Sequence, residues 1–417
     1  MKPFITNDAV VLVLLLLVLA VVFTSSRSAH PFWKKFYRFV PALLLCYFIP
    51  ALLNYPLGLI SAKDSNLYYV ASRYLLPASL VLLTLSIDFK GIINLGPKAL
   101  IMFFSGTLSV IVGGPIALLI VAYFAPSAFG GAAIDEVWRG LATVAGSWIG
   151  GGANQTAMKE VFQVKDGIFS AMIIVDVFVA NFWMAFLLYG AGVANKIDRA
   201  FKADASSISA LKDKAMSFQK KITKTASYVD LTVVLAVAFG VVGLSHFCAD
   251  QISPWVATNH PELAKFSLTS KFFWLIVIAT SAGLTLSFTK VRNLEGYGAS
   301  QLGSVFLYLL VATIGMKMNL LELIENWQLY RYFILIGLIW MSVHVLILLL
   351  MAKLIRAPFF FVAVGSQANI GGAASAPIVA SAFHPSLAPV GVLLAVFGYA
   401  VGTYGAWLCA QLMRLLA

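Results

Sequence analysis

The run YFILIGLIWMSVHVLILLLMAKL, residues 332–354, carries a single Lys near its end and no Asp, Glu or Arg. About 20 apolar residues are what a helix needs to cross roughly 30 Å of hydrocarbon. Inside that hydrocarbon only helices and closed barrels satisfy every backbone N–H and C=O. Comparable runs lie near 8–24, 38–60, 67–87, 97–124, 168–195, 228–248, 272–289, 299–316, 330–355 and 387–413. With 61% hydrophobic residues, 11% charged residues and a mean hydropathy of +0.91, the chain is too apolar for a soluble globule. The expected fold class is an all-α polytopic membrane protein of about ten transmembrane helices.

Two segments do not fit the list of plain spans. GSWIGGGANQTAM (146–158) and VGSQANIGGAASAP (364–377) place clustered glycines beside neutral polar side chains within apolar surroundings. These segments, near 139–162 and 357–383, read as glycine-rich re-entrant or broken helices. Charge favours the re-entrant form. The net charge of +12 sits mostly in the connections, which points to positive-inside topology rather than to nucleic acid. With the N-terminus outside, Arg27, Lys34, Lys35, Arg38, Lys90 and Lys98 fall inside. The basic segment 196–226, with Lys196, Arg199, Lys202, Lys212, Lys214, Lys220, Lys221 and Lys224, joins them only if 139–162 dips in and returns to the same face. Lys290, Arg292, Lys353 and Arg356 then also fall inside, and both termini lie outside.

The order of elements repeats. TLSIDFKGIINL from Thr84 and TIGMKMNLLEL from Thr313 each precede a long span and then a Gly/Ala-Asn segment. Re-entrant segments add no crossing, so the second half starts after an odd number of spans and two inverted-topology repeats result. The expected division is 1–195, a first repeat with an extra N-terminal helix; 196–226, a basic cytoplasmic linker; and 227–417, the second repeat. Inverted repeats with interrupted segments at matching positions point to a secondary transporter whose site lies at the repeat interface.

Non-helical backbone at membrane depth survives only where protein or a water-filled cavity surrounds it. Gly150, Gly151 and Gly152, with Gly365, Gly371 and Gly372, permit tight reversal and close backbone approach. The candidate substrate site is therefore Gly151, Gly152, Ala153, Asn154, Gln155 and Thr156 with Ser366, Gln367, Asn369, Gly371 and Gly372. Its neutral donors and acceptors and opposed helix ends suit a small anionic or zwitterionic solute. Asn154, Thr156 and Asn369 are a candidate sodium site. Asp176, in MIIVDVFVAN, is an ionisable residue inside a span and a candidate ion-coupling group, with Asn181 five residues on. His344 reads more readily as a hydrogen-bonded packing residue. Arg73 reads equally as an attractor of anionic solute or as a side chain reaching the outer interface. In FGYAVGTYGAW the small residues let the last helix pack tightly beside the second glycine segment, with Tyr399 or Thr403 placed to reach the cavity.

Cys46, Cys248 and Cys409, odd in number and widely separated, suggest neither a disulfide framework nor a metal site. Walker A, Gly-x-Ser-x-Gly and His-Glu-x-x-His sequences are absent, so no enzyme and no cofactor is expected beyond sodium or a proton as coupling ion.

The GGAN stretch at 151–154, SQANIGG at 366–372 and the overall layout resemble the YjcL-like family of bacterial integral membrane proteins. More distantly, paired glycine-rich segments in two inverted five-helix repeats resemble bacterial sodium/glutamate and sodium/citrate symporters and the wider grouping of cation/proton antiporters. That resemblance implies solute and sodium at 150–156 and 365–372, an acidic coupling residue at Asp176, a homodimer, and a place in the bacterial cytoplasmic (inner) membrane. The sequence lacks the His of the glutamate symporters' hairpin and the paired acids of electrogenic antiporters, so neither substrate carries over. The leading expectation is sodium-coupled symport of a small organic solute across the lipid bilayer. The alternatives are a sodium/proton antiporter using Asp176 and a non-transporting receptor or scaffold.

Overall fold

The structure, a computed structural model, describes residues 3–61, 65–126, 133–203, 225–318, 325 and 327–416. Lys212, Lys214, Lys220, Lys221 and Lys224 of the expected linker lie outside these residues. Among the described residues the chain is helical and no strand occurs. The principal helices are α1 (Asp8–Ser26), α2 (Ala42–Asn54), α3 (Leu67–Leu85), α4 (Pro97–Phe124), α5 (Ala133–Val161), α6 (Asp166–Gly192), α7 (Tyr228–Asn259), α8 (Lys271–Ser287), α9 (Ala299–Gly315), α10 (Trp327–Leu354), α11 (Phe359–Ile370), α12 (Gly372–Phe383) and α13 (Ala388–Arg414).

Every apolar run read from the sequence contains one of these helices. Seven are long and apolar enough to cross a membrane, and nine if two bent pairs each count as one span. The run at 38–60 illustrates the shortfall from ten. Its helix α2 has only 13 residues, because Pro41 stands at its start and Pro56 forces Tyr55 into an extended conformation (φ −134°, ψ 129°). Helix α3 contains one π-helical turn, Ala71–Leu75. Helix α7 starts at a reciprocal cap in which Ser227 and Asp230 satisfy each other's backbone N–H.

The helices sort into two packed groups, and each half of the chain supplies three elements to each, in the same order. One group holds α1, α2 and α3 with α7, α8 and α9. The other holds α4, α5 and α6 with α10, the α11–α12 pair and α13. Contacts recur when the halves are exchanged. Helix α1 packs on α2 and on α9 of the other half, while α7 packs on α8 and on α3. By order and by contacts α7 resembles α1.

Both glycine segments reverse the chain. Gly150 (φ −138°, ψ 15°) and Gly151 (φ 71°, ψ −175°) break α5. The Gly151 conformation is essentially confined to glycine. A β-carbon on Gly146 would sit 2.6 Å from the carbonyl oxygen of Asn154. In a straight helix those residues, eight apart, stand roughly 12 Å apart. Arg139 Nη1 donates to the carbonyl of Phe162 at 3.1 Å, and the rings of Trp138 and Phe162 meet at 5.5 Å, so the two arms of α5 run antiparallel. The α11–α12 pair turns at Gly371 and Gly372 (φ 57°) in the same manner. Gln367 Nε2 there donates to Ser375 Oγ at 2.7 Å, and Phe360 meets Phe383 at 5.3 Å.

The two reversed pairs enter from opposite ends of α6. Lys159, at the open end of the first, bonds Asp166 at the start of α6. Phe359, at the open end of the second, donates its N–H at 2.7 Å to Asp198, beyond the far end of α6.

Candidate functional site

The tips of the two reversed pairs meet. A β-carbon on Gly372 would lie 3.8 Å from the Cα of Gly151, and the ring of Tyr399 closes the other side of Gly151. Gly151, Gly152 and Gly371 remain partly exposed, and the space around Gly152 is open, with nothing within 4 Å of where a β-carbon would stand. Helix α13 crosses this point. Its Gly398 and Gly402 lie against Ile149 and Gly150, which explains the small residues of FGYAVGTYGAW. The sequence suggested that α13 packs beside the second glycine segment, and it does so at Gly391, where a β-carbon would stand 2.5 Å from the carbonyl oxygen of Ala376; it packs equally tightly on the first.

Asn154 and Asn369 make matching clasps, and both are fully buried. Asn154 Nδ2 donates to its own helix at Gly150 O (3.0 Å) and to Tyr399 O (2.9 Å), and Thr403 donates to Asn154 Oδ1 at 2.6 Å. Asn369 Nδ2 donates to Gly365 O (2.9 Å) and to Phe103 O (3.0 Å), and Thr107 donates to Asn369 Oδ1 at 2.8 Å. In each clasp an aromatic residue and a Thr four positions later, on α13 or α4, hold the amide. Only a carboxamide supplies two donors and an acceptor in this geometry.

Asp176 is buried and accepts three hydrogen bonds, from Ser147 Oγ (2.7 Å), Trp148 Nε1 (2.7 Å) and Gln155 Nε2 (3.0 Å). These donors stand on both arms of α5, so one carboxylate ties the arms together. All three donors are neutral, and among the described residues Asp176 forms no ion pair. Asn181 lies elsewhere on α6 and donates to Val177 O of its own helix.

His344 is fully buried within a chain of hydrogen bonds. Trp183 Nε1 donates to Ser366 Oγ (2.8 Å), which lies 2.8 Å from His344 Nε2; His344 Nδ1 lies 2.6 Å from Ser109 Oγ, which donates to Gly106 O at 2.6 Å. Each hydroxyl carries one proton, and Ser109 spends its proton on Gly106. The ring is therefore assigned as neutral, with its proton on Nδ1, and Ser366 donates to Nε2. Ser366 thus faces α6 and α10 rather than the tips.

Of the remaining candidates, Ala153 is buried and Thr156 donates to Gly152 O at 2.9 Å. Gln367 is 1% exposed and its Oε1 has no hydrogen-bond partner, which leaves an unspent acceptor behind the second tip. No bond joins the three oxygens considered for sodium: those of Asn154 and Asn369 accept from Thr403 and Thr107, and Thr156 donates to Gly152 O. Among the described residues no group of three or more His, Cys, Asp or Glu side chains is placed to hold a metal ion. Arg73 pairs with Glu160 at 2.7 Å, in an ionic cluster with Lys159, Asp166 and Lys317 that no sequence motif singled out.

A family model described as a protein of unknown function, DUF819, matches residues 13–416. The chain belongs to the DUF819 family. It is 25% identical over 357 residues to the uncharacterized membrane protein YjcL of Bacillus subtilis (strain 168), an alignment covering 82% of each chain. Family membership, this relative and the apolar helices agree on a multi-pass membrane protein, and the resemblance read from GGAN and SQANIGG is upheld.

Proposed function

We propose that this DUF819 protein is a secondary active transporter that carries a small anionic or zwitterionic solute in symport with sodium. The observation that carries the reading is the meeting of two glycine tips that enter from opposite ends of the bundle. In a bilayer these pairs are re-entrant, the halves are inverted repeats, and ten spans cross. Gly151, Gly152, Gly371 and Gln367 then offer a neutral polar cradle at mid-depth, where helix ends bind anions and freed carbonyls hold cations. The group containing both tips moves against the other to expose the cradle alternately. The site of action is the bacterial inner membrane, with both termini outside, and the working form is a homodimer.

Trp148 provides the test, because its indole bonds Asp176 one turn from the first tip. Purified protein is titrated with NaCl against KCl at constant ionic strength while tryptophan fluorescence is followed. A saturable, sodium-specific change that is lost in Asn154→Ala plus Asn369→Ala supports symport and justifies a solute screen in sodium-loaded proteoliposomes. No sodium-specific change, in protein shown to be folded, overturns the reading. A second reading, sodium/proton antiport through Asp176, rests on that carboxylate's burial among neutral donors. It requires a proton flux that Asp176→Asn abolishes without any organic solute. A receptor or scaffold would give neither a sodium-specific change nor a proton flux.

A further inference from the structure

At one end of the molecule five charged side chains alternate in sign. Arg73 Nη1 lies 2.7 Å from Glu160; Lys159 lies 3.7 Å from Glu160 and 2.9 Å from Asp166; Lys317 lies 3.1 Å from Asp166. Tyr68 sits at the centre, donating to Glu160 and accepting from Lys159 at 3.0 Å, with the ammonium of Lys317 4.1 Å from its ring centroid. The two outer cations, Arg73 and Lys317, belong to the α1–α3 and α7–α9 group. The three inner charges belong to the group that carries the glycine tips. The row therefore crosses the seam between the groups twice, through Arg73–Glu160 and Lys317–Asp166.

Burial is uneven along the row, and Asp166 is 37% exposed. Lys159 and Glu160 are 4% and 10% exposed, whereas Arg73 and Lys317 are 30% and 26% exposed. A buried charge that loses its partner is costly. The half-exposed outer cations, in contrast, can regain water when the seam opens. The seam itself is not tightly filled: a cavity of about 140 Å³ lies along it between Met158, Phe273 and Trp407.

The opposite end is built differently. Thr84 to Asp88 matches Thr313 to Lys317 in spacing, so Asp88 is the counterpart of Lys317. Asp88 instead pairs with Arg292 at 3.0 Å, within its own group. Residues 377–390, which match the region of Lys159 to Asp166, contain no Lys, Arg, Asp or Glu.

We infer that the Arg73–Glu160–Lys159–Asp166–Lys317 row is a latch, which holds the two helix groups closed at this face. The inference concerns how the groups are joined and needs neither solute nor sodium. Its test uses full-length protein in nanodiscs in a Cys248→Ser background with a cysteine reporter at Ser72, 1% exposed beside Arg73. A second reporter, Ser287→Cys, sits at the opposite end, where Ser287 is 5% exposed. Each is labelled with a bulky, charged maleimide. Glu160→Gln plus Asp166→Asn is expected to speed labelling at position 72 at least tenfold and leave position 287 unchanged. The exchange Arg73→Glu with Glu160→Arg is expected to keep position 72 slow. Unchanged labelling at 72 in the neutralised protein overturns the latch. Equal acceleration at both reporters, or fast labelling in the charge exchange, overturns it as well. A protein that fails the sodium titration but passes here still has two groups that part at this face.

Discussion

Gly402 has no room for a side chain, because a β-carbon there would stand 2.5 Å from the Cα of Gly150. The Cα of Gly150 is backbone and a β-carbon is fixed directly to its own Cα, so neither can turn aside. Gly402→Ala is therefore expected to lower stability by about 1–3 kcal/mol, the usual penalty for overpacking a filled interior. At Gly405 the nearest obstacle is the movable tip of Ile149, at 3.1 Å. Thermal unfolding in detergent should rank Gly402→Ala well below Gly405→Ala; equal midpoints would refute the close crossing of α13 and the first tip.

Gly152 presents the opposite case. Its surroundings are open and its φ is not in the left-handed region, so Gly152→Ala should fold with a wild-type unfolding midpoint. The added methyl group would occupy the cradle between the tips. The expected outcome is an unchanged midpoint with the sodium-dependent fluorescence response of Trp148 weakened at least tenfold in apparent affinity. An unaltered response would remove the tip from the binding site.

The two Asn clasps predict an order of severity. Replacing either Asn by Ala removes the amide and leaves buried carbonyl and hydroxyl partners unmatched, a cost of about 1–3 kcal/mol. Replacing it by Asp is worse, since a carboxylate would face two carbonyl oxygens where Nδ2 now donates. Asn154→Asp and Asn369→Asp should both unfold at lower temperature than the Ala variants. Asp variants as stable as wild type would mean that the clasps are not formed.

Nitrogen-15 NMR of histidine-labelled protein can read the His344 ring directly. The hydrogen-bond chain requires a neutral imidazole with the proton on Nδ1. Ser366→Ala removes the hydroxyl between Trp183 and His344, and the Nε2 resonance should shift while Nδ1 keeps its proton. Observation of the Nε2–H form would contradict the assigned direction of the chain.

How much of this was legible in the sequence depended on whether a residue's role is local. Hydrophobic length located a helix in every apolar run, and Gly150–Gly151 and Gly371–Gly372 marked both reversals because reversal is a backbone property of those very residues. Partner choice was not legible. Asn154 and Asn369 stood out as polar groups among apolar ones, yet nothing nearby in sequence names Thr403 or Thr107, which lie 249 and 262 positions away. The KE pair at 159–160 reads like any polar end of a helix. Its burial follows from the return of the first glycine segment to the face where Arg73 and Lys317 already stand. The same distance effect turned Arg73 from an open question into one end of an ion row, and His344 into a bridge between Ser109 and Ser366.

The π-helical turn at Ala71–Leu75 gives α3 one residue more than an unbroken α-helix of the same length would use. Its counterpart α9 runs from Ala299 to Gly315 without such a turn. One residue corresponds to about 100° of rotation around a helix axis. Deleting a residue within this turn would thus swing Tyr68 about a quarter of the way around α3 relative to Leu76–Leu85, out of reach of Glu160 and Lys159, while every charge stayed in the chain. The orientation of a whole helical turn, and with it the difference between the molecule's two faces, hangs on the length of the chain by a single residue.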